Sequence, residues 1–191
     1  MTKEEQGSKE AAAPGALRKK LVELKARVDS PEEVERRLRA KGATFQSTLH
    51  QRDVYFNGVR GRLKLRLQRP GGDQLVWYDR PDRADTKESK IVLSVLPPNH
   101  GLEAVLSSAL EVRVVVSKVR KVFNWSGTRV HLDDVDGLGS FVEFEKTLSS
   151  EDSASSAHSE LRAMLEQLEV PFEALQGGSY SDLLHPQNPA V

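Results

Sequence analysis

The chain has 191 residues, of which 38% are hydrophobic, and its 28 basic and 28 acidic side chains give a formal net charge of zero. This length suffices for one domain with a buried core, and the balanced charge argues against a general nucleic-acid or membrane-surface binder. The absence of cysteine excludes disulfides, thiolate catalysis and cysteine-ligated metals, and it favours a reducing compartment. We therefore expect a cytoplasmic protein without a nucleic-acid or membrane partner.

The two ends of the chain differ in composition from the middle. Residues 1–16 are polar and rich in alanine, and no hydrophobic stretch of the signal-peptide type is present. We predict that residues 1–16 form a disordered tail, that residues 17–185 form a single domain, and that residues 186–191 form a polar C-terminal tail.

The first helix is predicted directly after the first strand. Ser30 and Glu33 have the spacing of a capping box, and Pro31 between them suits the first helical position. Gly42 is suited to end this helix. The sequence therefore predicts a helix from Pro31 to about residue 41.

Most of the remaining chain has the composition of strands separated by turns such as Asn57-Gly58. Strands are predicted at residues 20–28, 45–56, 62–68, 74–80, 89–96, 112–124, 129–132 and 141–145. Further helices are predicted at residues 102–110, around 161–168 and at 180–184. This order indicates an α+β fold with a mostly antiparallel sheet, and about eight strands are enough to close a small barrel.

Several predicted strands carry a charged or polar residue at every second position. The residues that share this parity are Glu23, Lys25 and Arg27; Arg62, Lys64 and Arg66; Tyr78 and Arg80; Lys87 and Ser89; Lys118 and Arg120; Arg129 and His131; and Glu143 and Glu145. Successive side chains of a strand point to opposite faces, so each strand has one ionised and one apolar face.

The ionised faces allow two interpretations. For a single antiparallel strand, the usual one is a face in contact with water. Together, however, neighbouring basic strands would repel one another unless a bound anion neutralised them, and Glu143 and Glu145 could hold a hard cation. Oxygen ligands favour magnesium or manganese over zinc. The joint pattern therefore favours one cavity that binds a polyanion together with a divalent metal.

Seven motifs, in order along the chain, resemble the signatures of the CYTH family, also called the triphosphate tunnel metalloenzymes. They are VELKARV at residues 22–28, QRDVYF at 51–56, GRLKLR at 61–66, WYDRP at 77–81, HLDDVDGLG at 131–139, FVEFE at 141–145 and GSYSDLL at 178–184. The resemblance runs from about Leu21 to Leu184 and is closest to the class IV adenylyl cyclase-like branch.

The resemblance implies an eight-stranded antiparallel barrel that holds a small-molecule triphosphate with Mg²⁺ or Mn²⁺. By position, the residues implied to bind the phosphates are Arg27, Lys64, Arg66, Arg80, Lys87, Lys118, Arg120 and Arg129. The implied metal ligands are Glu23, Asp133, Glu143 and Glu145, and Lys25 and Tyr55 are implied to be catalytic.

Two departures from the family pattern bear on the activity. The first strand usually reads Glu-x-Glu-x-Lys, and Leu21 stands where the first glutamate is expected. Thiamine triphosphatases pair a tyrosine, matched here by Tyr55, with a lysine that residues 74–80 lack. The sequence therefore predicts a phosphohydrolase acting on a nucleoside or inorganic triphosphate. The alternatives are a class IV adenylyl cyclase, which forms cyclic AMP and pyrophosphate, and a non-catalytic polyphosphate- or nucleotide-binding module.

Overall fold

Eight antiparallel strands close into a barrel in the order β1-β5-β4-β3-β2-β6-β7-β8. The computed structural model describes residues 15–57, 60–80, 85–149 and 153–185. Its elements are β1 (Ala16–Arg27), α1 (Pro31–Ala40), β2 (Thr44–Phe56), β3 (Arg62–Arg69), β4 (Gln74–Asp79), β5 (Lys87–Val95), α2 (Leu102–Ala109), β6 (Val112–Trp125), β7 (Thr128–Val135), β8 (Gly139–Thr147), α3 (Ala154–Gln167), a short 3-10 turn (Phe172–Ala174) and α4 (Tyr180–Leu184). The predicted α+β fold and the eight-stranded barrel are confirmed.

The main hydrophobic core lies outside the barrel. Val22 and Leu24 on β1 point outward and pack with Leu38 of α1 and with Leu161 and Leu165 of α3. A smaller cluster joins α2 to the outer face of β2 and β3. Because the apolar faces of these strands are covered by helices, their alternating polar faces are turned into the barrel.

Helix α1 begins at Pro31 as predicted, but the capping box is not formed. The side chain of Ser30 makes no capping hydrogen bond. The carboxylate of Glu33 instead accepts hydrogen bonds from Arg36 and Arg37, one turn further along the helix. These two charged donors bind the carboxylate that would otherwise reach back to the helix N-terminus.

The segment after α3 closes one end of the barrel. Its backbone pairs with β1, where the amide of Gln176 donates to the carbonyl of Lys25. Tyr180 at the start of α4 then packs against Phe141, with ring centroids 5.0 Å apart. A capping box between Ser179 and Asp182 fixes the start of α4.

The predicted tails fall almost entirely outside the described residues. Residues 1–14 and 186–191 are not described, and β1 already begins at Ala16. None of the helices in the described ranges combines the length and the apolar character needed to cross a membrane.

Candidate active site inside the barrel

A cavity of about 590 Å³ lies inside the barrel and is lined by all eight strands. It brings together most of the residues singled out from the sequence. Those that line it are Glu23, Lys25, Tyr55, Lys64, Arg66, Arg80, Lys118, Arg120, Arg129, Glu143 and Glu145. The ionised faces of these strands therefore converge on one cavity. This excludes the other interpretation, in which each face would lie separately on the outer surface in contact with water.

Three cations on one side of the cavity share a single carboxylate. We call these residues, Asp53, Lys64, Arg66 and Lys118, the basic wall. Asp53 on β2 is fully buried and accepts hydrogen bonds from Lys64 at 2.9 Å, from Arg66 at 2.8 Å and from Lys118 at 3.1 Å. The cations come from β3 and β6, the two strands that flank β2. One carboxylate cannot neutralise three cations, so this wall keeps a positive surplus toward the cavity.

The charge states of the basic wall follow from its burial. Desolvation lowers the pKa of Lys64 from 10.5 to about 7, and it also lowers the pKa of Lys118. Burial alone would raise the pKa of Asp53, but the charges of Arg66, Lys118 and Lys64 hold it well below its ordinary value. Asp53 is therefore ionised at neutral pH, whereas Lys64 is close to losing its proton.

Tyr55 lies beside this wall, where its hydroxyl accepts a hydrogen bond from Lys64 at 3.3 Å. Burial raises the pKa of Tyr55 well above its ordinary value. The phenol therefore stays protonated and can donate a hydrogen bond, but it cannot serve as a base near neutral pH.

Carboxylates gather on the opposite side, on β8 and its two neighbouring strands. Glu143 and Glu145 on β8, together with His131 on β7, have ligand atoms within 4.8 Å of one another. Glu23 on β1 is the register partner of Glu145 and faces the same cavity. We call Glu23, His131, Glu143 and Glu145 the acidic wall.

A buried hydrogen-bond chain links the acidic wall to the closed end of the barrel. Arg120 donates to Glu143 at 2.7 Å and forms a two-point contact with Asp133 at 2.7 and 2.5 Å. The hydroxyl of Tyr180 donates to the same carboxylate of Asp133 at 2.8 Å. Burial would raise the pKa of Glu143, but Arg120, His131 and Lys25 hold it well below its ordinary value.

Three of the residues implied by the family resemblance do not line the cavity. Arg27 is exposed and donates to the carbonyl of Leu138. Lys87 is buried and donates to the carbonyls of Gln176 and Gly177. Both oxygens of the third residue, Asp133, are bound by Arg120 and Tyr180, so its carboxylate orients Arg120 and does not face the cavity.

Two further cations have partners at the ends of the acidic wall. Lys25 lines the cavity but donates to the carbonyl of Gly178 at 2.6 Å, and desolvation lowers its pKa. Arg80 contacts the carboxylate of Glu23. The closing segment and the barrel wall thus hold in place two groups for which the family resemblance implied a catalytic role, for Lys25, and a phosphate-binding role, for Arg80.

Asp53 and Tyr180 were not predicted as site residues from the sequence. A signal for Asp53 was present, because Gln51, Asp53 and Tyr55 alternate with Arg52 and Val54 in the same period of two. For Tyr180 no local pattern exists, since its partner Asp133 lies 47 residues away in sequence.

The acidic wall fits a divalent cation. Glu23 and Glu145 are opposite one another on neighbouring strands and would repel, and Arg80 at Glu23 offsets only part of this repulsion. Carboxylate oxygens bind hard divalent cations, and an imidazole nitrogen is a common further ligand of divalent transition metals. Glu23, Glu143, Glu145 and His131 are the residues that would hold such an ion.

Comparisons with known proteins agree with this geometry. The CYTH domain profile matches residues 19–174. The protein MJ0240 of Methanocaldococcus jannaschii, provisionally named as an adenylate cyclase, is 24% identical over 169 residues, which are 85% of this chain and 97% of that protein.

Solved structures show the same fold. PH1012 of Pyrococcus horikoshii superposes with a TM-score of 0.75 at 22% identity, covering 85% of this chain and 98% of that one. HpAC1 of Hippeastrum, named as an adenylyl cyclase and described as having a dominant triphosphatase activity, superposes with a TM-score of 0.61 at 15% identity, covering 87% and 93%.

Proposed function

The chain belongs to the CYTH family, and from this premise we propose that it binds a triphosphate with a divalent cation inside the barrel and hydrolyses a phosphoanhydride bond. The observation that carries this proposal is the pairing of two oppositely charged walls around one cavity. The basic wall has a positive surplus that a polyanion would neutralise, and the acidic wall has carboxylates that a cation would neutralise.

In this proposal, Lys64, Arg66 and Lys118 bind phosphate oxygens and hold the chain of phosphates in one orientation. Such a role suits phosphoryl transfer, which depends on charge neutralisation and in-line positioning more than on covalent chemistry. Arg120, oriented by Asp133 and bound to Glu143 of the acidic wall, would stabilise charge that develops at the attacked phosphate. Tyr55 remains a phenol and acts as a hydrogen-bond donor.

Magnesium or manganese is the cation that this proposal assigns to the acidic wall, because three of its four donor groups are carboxylates. When bound, the ion supplies charge neutralisation at the phosphates and lowers the pKa of a bound water. The low pKa of Glu143 keeps that ligand ionised at neutral pH.

Cyclisation of ATP is a second candidate, favoured by the name of MJ0240. In that reaction the ribose 3′-hydroxyl attacks in place of water and pyrophosphate leaves. The description of HpAC1 supports hydrolysis instead.

The cytoplasm remains the expected location and rests on the absence of cysteine.

Leu21 motivates the third candidate, a binder with little turnover. Its side chain is buried and lines the cavity next to Glu23, at the position where a glutamate was expected. Leu21→Glu tests this candidate: a large gain in activity supports a degenerate site, and no change means that the remaining carboxylates suffice.

The test of the proposed function is a product analysis with Mg²⁺ or Mn²⁺ and ATP, GTP, tripolyphosphate and thiamine triphosphate. Release of orthophosphate supports hydrolysis, whereas pyrophosphate together with cyclic AMP supports cyclisation. Tight triphosphate binding without any product would overturn the enzymatic proposal in favour of a binding module.

A further inference from the structure

Toward one end of the barrel, the lining of the cavity changes from charged to apolar. On β1 and β5, the inward-facing positions beyond Glu23 and Ser89 are aliphatic except for Lys19. The aliphatic residues that line the cavity there are Leu17, Leu21, Ile91, Leu93 and Val95. We call this set the apolar wall.

The residues of the apolar wall are neighbours across strands. Leu17 on β1 lies opposite Leu93 on β5, and Leu93 lies opposite Val76 on β4, which also lines the cavity. Leu17 is 53% exposed and Val95 is 59% exposed. Large aliphatic side chains left accessible beside a charged cavity indicate a surface that a ligand covers.

Uncharged polar side chains complete the lining at this end, together with Lys19 opposite Ile91. The uncharged residues are Gln46, Ser47, Gln68, Gln74 and Asn124, from strands β2, β3, β4 and β6. Gln74 is the register partner of both Arg66 in the basic wall and Val95 in the apolar wall. An apolar face together with amide donors and acceptors suits a flat heteroaromatic ring whose edge forms hydrogen bonds.

The closed end determines which way a ligand lies. Tyr180 and Phe141 pack together there with Tyr55 and Tyr78, and Lys25 binds the closing segment. At the opposite end, Leu17 and Val95 are exposed. Among the described residues, the apolar wall is therefore where an organic group attached to a triphosphate has room to extend, with the terminal phosphate directed toward the closed end.

From this arrangement we infer that the barrel selects a nucleoside triphosphate over inorganic tripolyphosphate, with the base against Leu17 and Leu93 and its edge near Gln74. This inference rests on the proposed function and narrows its substrate. Inorganic tripolyphosphate would occupy only the charged section and would leave the apolar wall uncovered.

The test compares ATP and GTP with tripolyphosphate in the wild type and in Leu93→Asn and Leu17→Asn. We expect kcat/KM for the better nucleotide to exceed that for tripolyphosphate in the wild type and to fall about tenfold in Leu93→Asn, because a covered aliphatic side chain is lost. The value for tripolyphosphate should not change. Leu17→Asn is the second variant, since this exposed side chain is not needed for folding.

The matched control is Val105→Asn, at a residue of α2 that is 60% exposed and does not line the cavity. It should leave kcat/KM unchanged for both the nucleotide and tripolyphosphate. A wild type that prefers tripolyphosphate, or variants that lose activity on both substrates equally, would overturn the inference. Calorimetric titration of each substrate separates the two proposals. If nucleotide binding weakens in the variants but the wild type shows no turnover of any substrate, the inferred preference for a nucleotide stands and the proposed hydrolysis is overturned.

Discussion

The basic and acidic walls of the cavity are opposite in charge, and their charges are balanced in different ways. In the basic wall, three cations converge on Asp53, which has no further oxygen to offer them. In the acidic wall, Glu143 receives Arg120 and Glu23 contacts Arg80, whereas Glu145 faces Glu23 across the strand pair with His131 3.8 Å away. The basic wall thus keeps a positive surplus, whereas arginines bind two carboxylates of the acidic wall and Glu145 is the one that a cation from solution would neutralise.

This difference explains why one cavity suits a metal–triphosphate complex better than either ion alone. A triphosphate would neutralise the surplus on the basic wall but would be repelled by the carboxylates opposite. A divalent cation on the acidic wall removes that repulsion. Substitutions in the two walls should therefore have different consequences.

The largest effect is expected in the acidic wall. Glu143→Gln and Glu145→Gln should each reduce metal-dependent turnover by about two to three orders of magnitude, because ligand charge to the cation is lost. Calorimetric titration with Mn²⁺ should show weaker metal binding. Glu88→Gln, on the exposed face of β5, is the matched control. Normal turnover in both variants would contradict the metal assignment.

In the basic wall, loss of the central carboxylate should affect folding. Asp53→Asn leaves Lys64, Arg66 and Lys118 buried without their counter-charge, and we expect a loss of about 3 kcal/mol in the free energy of unfolding. Added tripolyphosphate should restore part of it, as measured by denaturant titration. Asp134→Asn, at an exposed position of β7, should have little effect. Equal stability of the two variants would refute the central role of Asp53.

Removal of one cation from the basic wall should mainly weaken substrate binding. We expect Lys118→Met to raise the Kd of the triphosphate by about ten- to a hundredfold, the contribution of a charged hydrogen bond. The remaining affinity should depend less on salt, because one screened charge is gone. Lys90→Met on the outer face of β5 provides the control. An unchanged Kd for Lys118→Met would place the phosphates elsewhere.

The smallest effect concerns pH. Desolvation lowers the pKa of Lys64 to about 7, so triphosphate affinity should fall, by at most about tenfold, as the pH rises above 7 and this charge is lost. Lys64→Arg keeps its charge and should bind with little dependence on pH in the same range. A wild type and a Lys64→Arg variant with identical pH profiles would exclude Lys64 as the group that titrates.

The same pKa has the opposite consequence for stability. Between pH 7 and about 10.5, the unfolded chain holds a proton on Lys64 that the folded chain has released. The contribution of this group to the free energy of unfolding therefore increases with pH over that window. Substrate affinity and stability should move in opposite directions as the pH rises.

The order of elements in the fold was predictable because it depends on local patterns. The strands at residues 62–68 and 74–80 are found within one residue of their predicted bounds. The capping box at Ser30 was wrong because Glu33 has closer cationic partners on its own helix. Helix α3 begins at Ala154, inside a serine-rich stretch, since Ala157 and Leu161 are buried against the barrel.

The sequence by itself determined which residues of each strand share a face, because alternation is a property of the extended backbone. It did not determine the partners of those residues. Asp53 binds a lysine 65 positions away, and Lys87 is drawn to carbonyls about 90 positions away. Only closure of the barrel and insertion of its C-terminal segment decided which charged groups face the cavity and which are held inside the wall, because these contacts join segments that no local pattern connects.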